Sequence, residues 1–127
     1  MALERLQADG LPNSSLYSHA VKAGNTIYIA GQVARDEQGM IVAPGDFRGQ
    51  AHQVFANLEK ALASAGAGLK DIAKLTIFVT DPRYRDSLRE IQGQYLSGGL
   101  PASTLLVVAA LADPAYLIEI EAVAVLT

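Results

Sequence analysis

Apolar residues recur along this chain with two different periods, and the change from one to the other divides it into elements. Phe47, Ala51, Val54, Phe55, Leu58, Ala61, Leu62 and Ala65 follow the spacing of one helical face. Asp46 stands where an N-cap belongs and Gly66 where a left-handed residue closes a helix, so chemistry marks both ends of the pattern. The spacing predicts a second helix from Pro82 to about Leu96. Asp81 can cap it, Pro82 fits the first turn, Tyr84, Leu88, Ile91 and Tyr95 share a face, and Gly98-Gly99 stops it.

The period shortens elsewhere to the alternation of strands. "TIYIAGQV" at 26–33, "KLTIFVT" at 74–80, "STLLVVAAL" at 103–111 and "LIEIEAVAV" at 117–125 read as strands, with two shorter ones in "YSHAVKA" at 17–23 and "GMIVA" at 39–43. The polar loop "RDEQG" separates the last of these from its neighbour. The expected fold is α+β, a sheet of about six strands with two helices. Two helices cover only one side of such a sheet, yet "LTIFV" and "TLLVVAAL" are apolar on both. Another copy of the chain is the expected cover, and with it a symmetric oligomer and a pocket between subunits.

The last strand sharpens this expectation. Ile118, Ile120, Ala122 and Ala124 make one uniformly apolar face, while Glu119 and Glu121 share the other with Leu117, Val123 and Val125. Glu121 reads as a solvated surface charge. Glu119 reads either the same way or as a half-buried carboxylate turned toward a seam, able to hold a water or take a proton.

Composition removes alternatives. At 127 residues the chain suits one domain with one core. It has no apolar run long enough to span a membrane, and its opening "MALERLQADGLPNSS" lacks the apolar core of a signal peptide, so the expected compartment is the cytoplasm. No cysteine is present, which excludes disulfides, thiolate catalysis and thiolate-held metals. A net charge of −3 gives nucleic acid no general reason to bind. His19 and His52 lack metal-ligand spacing, Ser103 and Thr104 have no histidine-acid pair, and the glycines of "AGAGL" follow a helix instead of opening one after a strand. No metal site is expected. Gly31, inside a strand pattern, marks a bulge or a close approach by a neighbour or ligand. Tyr17 reads as an interfacial ring with a hydroxyl to place.

Taken in order, "YSHAV", "YIAGQV", "QAHQVFANLEKALASAG", "DIAKLTIFVTD", "PAS" before a long strand and "IEIEAVAV" resemble the RidA/YjgF family, from Tyr17 almost to the end. The resemblance implies a chorismate mutase-like fold, a six-stranded mixed sheet with two helices on one face, assembled as a homotrimer with clefts between subunits. It also implies hydrolysis of small imines and enamines, such as 2-aminoacrylate, to keto acids and ammonia without a cofactor. By that resemblance Tyr17 and Glu119 are the catalytic candidates, Glu119 orienting the water, and Gly31 belongs to the substrate-binding turn.

Three positions depart from the family pattern. Ala30 replaces a serine, Leu105 a cysteine, and Ser103 the arginine that grips the substrate carboxylate. Losing that guanidinium removes a charge-assisted pair worth about 1.5–3 kcal/mol, so small 2-imino acids should bind poorly unless another cation substitutes. Arg89 on the second helix is one candidate and also reads as a plain helix-surface charge. Two functions follow: a deaminase with altered specificity, acting on an imine, enamine or related labile small molecule that lacks the usual carboxylate, or a non-catalytic ligand-binding or chaperone-like relative. A nuclease role, sometimes attached to this family, ranks third because the chain is acidic.

Overall fold

The computed structural model describes residues 2–127 as one six-stranded sheet with two helices. In chain order the strands are β1 (Glu4–Leu6), β2 (Ala20–Ala23), β3 (Thr26–Gln32), β4 (Ile72–Val79), β5 (Ala102–Val107) and β6 (Ile118–Val125). The helices are α1 (Phe47–Ser64) and α2 (Arg85–Tyr95), the latter entered through a short 3-10 turn, Pro82–Tyr84. The sheet order is β1-β2-β3-β6-β4-β5, antiparallel throughout except for the parallel pair β4 and β5, which α2 connects.

Both helices lie on one face. α1 packs on β3 and β6 and also against α2. The side chains beneath them, Ile27, Ile29, Leu75, Ile77, Ile118 and Ile120 among them, are buried. All eight residues of the predicted α1 stripe are buried too. Phe47 stacks on Tyr84 at 4.3 Å and Phe55 on Tyr95 at 4.6 Å, fastening the helices to each other through rings. The caps form as the residue types require. The Asp46 carboxylate accepts from the Gly49 N–H at 3.1 Å, and Gly66 takes φ +77° while Ala67 N–H returns to the Leu62 carbonyl.

The strand expectations need four corrections. "GMIVA" at 39–43 is not a strand: its one pairing is an isolated bridge between Arg35 and Ile41, because "RDEQG" is spent on an Asp36 turn whose carboxylate accepts from Gln38 and Met40. The sixth strand is β1, too short and too polar to show a period. β2 begins at Ala20, leaving Tyr17 in the bend before it, and β5 ends at Val107, since nothing beyond β4 remains to pair with. No helix is long and apolar enough to cross a membrane among the described residues.

Candidate active site

A cavity of about 500 Å³ opens where β3 leaves the sheet beside β6. Glu119, Gly31, Ala30, Tyr17, Arg35, Asp113 and Tyr116 line it, with Val33 and Ala112. A register irregularity makes the opening. Ile29 pairs with Ala122 and Gln32 with Ile120, so Ala30 and Gly31 together face a single β6 residue, Glu121. Gly31 is both a bulge and a close approach: a Cβ there would collide with Glu119 Oε2 and sit 2.8 Å from its Cδ. The carboxylate lies across the one strand position with no side chain to displace it.

That placement sets the electrostatics of Glu119. It is half-buried, with Phe78 of β4 as its cross-strand neighbour, and Glu121 lies two residues along the same face. Burial raises its pKa above the ordinary carboxylate value, and the negative charge of Glu121 raises it further. Glu121 itself is exposed.

Tyr17 comes from the bend before β2, held there by Gln7, whose amide donates to the Tyr17 carbonyl at 3.2 Å just after β1 ends. Its ring meets that of buried His19 edge-on, centroids 5.5 Å apart. His19 Nε2 lies 2.7 Å from the Pro12 carbonyl, which can only accept, so the proton is assigned to Nε2, and Nδ1 accepts from Gln32 at 3.3 Å. The Tyr17 hydroxyl oxygen accepts from Arg35 Nη2 at 2.9 Å.

The opposite wall is the loop between β5 and β6. Burial pushes the Tyr116 phenol up, Arg35 pulls it back, and Asp113, Tyr17 and Glu119 push it up again, so this ring feels every charged group of the cavity. Buried Gln50 of α1 pins the loop, donating to the Ala115 carbonyl at 2.8 Å and accepting from the Leu117 N–H at 2.8 Å. Buried Asn57, two helical turns on, donates to the carbonyls of Val33 and Arg35 at 3.0 and 2.9 Å. One helix therefore fixes both walls.

Tyr17, Ala30, Gly31 and Glu119 thus share one cavity. Arg89 does not join them within one chain; it lines a separate groove with Gln92, Leu96 and Leu100. Ser103 and Leu105 lie on β5, an edge strand whose six residues are all exposed, away from this cavity. Sequence reasoning missed Arg35, Asp113 and Tyr116, which sit in loops where no period guides the eye. The available signals were short separations: Arg35 follows Gly31 by four residues, and Tyr116 precedes Glu119 by three. Among the described residues, no group of three or more histidine, cysteine or acidic side chains converges as a metal site would require.

Comparison with known proteins agrees with this architecture. Residues 9–126 match the family model described as Endoribonuclease L-PSP. The chain is 36% identical over 108 residues to a RutC family protein of Pyrococcus horikoshii, covering 85% of each. It is 38% identical over 109 residues to the mouse 2-iminobutanoate/2-iminopropanoate deaminase, covering 86% of this chain and 80% of that one. Among solved structures, RidA from the Antarctic bacterium Psychrobacter sp. PAMC 21119 superposes with a TM-score of 0.89 at 35% identity, over 97% of this chain and 99% of that one. Motifs, sheet order and relatives coincide over nearly the whole length, and the chain belongs to the RidA/L-PSP family.

Proposed function

We propose that this protein hydrolyses small imines or enamines to a carbonyl compound and ammonia in the β3/β6 cavity, without a cofactor. The observation that carries the reading is the half-buried Glu119 carboxylate laid over Gly31 in a cavity that also holds Tyr17. The deaminase names of the mouse, rat and mite relatives support it.

The chemistry asks little of the protein. A protonated imine carbon is already electrophilic, so the site must hold the substrate and aim one water. Glu119 takes a proton from that water as its oxygen bonds to the imine carbon, giving a carbinolamine. Glu119 returns the proton to nitrogen; as the C–N bond breaks, the carbinolamine oxygen forms C=O and gives its hydroxyl proton to the Glu119 carboxylate, and the departing ammonia carries that proton away as ammonium. A carboxylate with a raised pKa suits both the taking and the returning of that proton.

The assembly proposed is a homotrimer. Its support is the uncovered sheet face, where Tyr28 and Val125 are exposed, together with the exposed edge strand β5. Ser103 also keeps a second reading open, a binder that retains the cavity without turnover. An amino-acid oxidase supplying a panel of imines, charged and neutral, separates the two. Accelerated ammonia release that disappears in Glu119→Ala supports the deaminase, and no acceleration with any imine supports the binder.

A further inference from the structure

Arg35 is a guanidinium that the fold anchors but does not pair. Its N–H donates to the Val33 carbonyl at 2.9 Å, its own carbonyl accepts from Asn57 at 2.9 Å, and Ile41 bridges it on the other side. The side chain is partly buried, lines the cavity, and reaches the Tyr17 hydroxyl. Arg48 and Arg83 are in ion pairs with Glu90 and Asp81, whereas Arg35 has no ion-pair partner among the described residues. Asp113, on the same cavity, turns Oδ1 inward to its own loop, accepting from the Ala115 N–H at 2.9 Å.

A cation taken partly out of water without a counter-charge costs free energy that an incoming anion restores. The donors left over from the Tyr17 contact form a planar fork, the arrangement that suits a carboxylate. Because the Tyr17 oxygen accepts from Arg35, its own hydroxyl proton is free to be donated to the same guest.

We propose that Arg35 grips the carboxylate of the substrate, which makes that substrate an anionic imine or enamine of the imino-acid class. The grip then sits at the exit of β3, in the same cavity wall as Gly31, and takes over the task that the family resemblance gives to an arginine at the position of Ser103. Specificity for small 2-imino acids, which Ser103 alone argues against, returns by another route. That the bound anion is an imine rests on the proposed deaminase activity; that the site binds an anion does not.

The test separates the two. 2-Oxobutanoate, a stable keto acid with the carboxylate of the expected product, and butanone, its neutral counterpart, are titrated into 15N-labelled protein, wild type and Arg35→Gln, and followed by NMR. The expected result is that Arg35→Gln weakens 2-oxobutanoate roughly tenfold or more while leaving butanone unchanged, the scale of a lost charge-assisted contact. Arg35→Lys, which keeps the charge and loses the fork, should fall between. Intact amide spectra of both variants exclude misfolding as the cause. Equal affinity of wild type and Arg35→Gln for the keto acid overturns the inference, as does a wild type that binds no keto acid. Arg35-dependent keto-acid binding without imine hydrolysis leaves the grip standing and removes the deaminase reading.

Discussion

Glu119 carries a conflict between stability and use that can be measured one residue at a time. Its pKa is raised in the folded chain, first by burial and then by Glu121, so the native state binds a proton more tightly than the unfolded chain does. Between the ordinary glutamate value of 4.5 and the raised native value, stability therefore falls as pH rises, and above that window the full penalty applies. Glu119→Gln should accordingly melt higher than wild type at pH 7, and the gain should shrink to nothing below pH 4.5, as differential scanning calorimetry across pH would register. The acid limb of kcat/KM should lie above the usual carboxylate range for the same reason. Gly31→Ala tests the approach from the other strand. Its Cβ would strike the Glu119 carboxylate, and the displaced group should lose on the order of a hundredfold in kcat/KM, with far less change in thermal stability. Both residues were legible in the sequence because each breaks the alternation of its own strand, a glycine among β-branched neighbours and a carboxylate facing valines. Arg35 was not, since a loop residue has no pattern to violate.

At the scale of elements, α1 does more than roof the core. Gln50 and Asn57 interrupt its apolar stripe and turn polar groups into the fold, one toward the Tyr116 loop and the other toward the Arg35 segment. Among the described residues, every buried side-chain polar atom finds a partner, so neither amide is idle. Gln50→Ala strands the Ala115 carbonyl and the Leu117 N–H together, which should cost about 1–3 kcal/mol in urea unfolding and loosen the loop enough to raise KM. Amide exchange at Leu117 should accelerate in the same variant. The stripe itself could have given this away: Gln50 and Asn57 fall at helical spacing among residues that are otherwise apolar. The helices and four longer strands were readable from period and caps, because burial on one face imposes the pattern. β1 was not, because three residues make no period, and its contribution, seating Gln7 beneath Tyr17, is felt only in three dimensions.

For the whole molecule, the decisive fact is asymmetry across the sheet. One side is sealed by α1 and α2, while Tyr28 and Val125 stand exposed on the other and β5 offers Leu105, Leu106 and Val107 at 37, 43 and 53% exposure. The proposed trimer predicts that a charge on this surface separates subunits. Leu106→Asp should sediment as a monomer at micromolar concentration where wild type does not, and circular dichroism should show its helices retained. A wild type that sediments as a monomer would remove the trimer, although the cavity of the single chain would remain. The bare flank has a bearing on how the protein is made. A chain emerging from denaturant completes α1 and its core by itself, then carries β5 as an edge ribbon, paired with β4 on one side only and bearing exposed apolar side chains. Refolding yield should therefore pass through an optimum with concentration, since too dilute a solution leaves the ribbon waiting and too crowded a one lets it stack on the wrong neighbour.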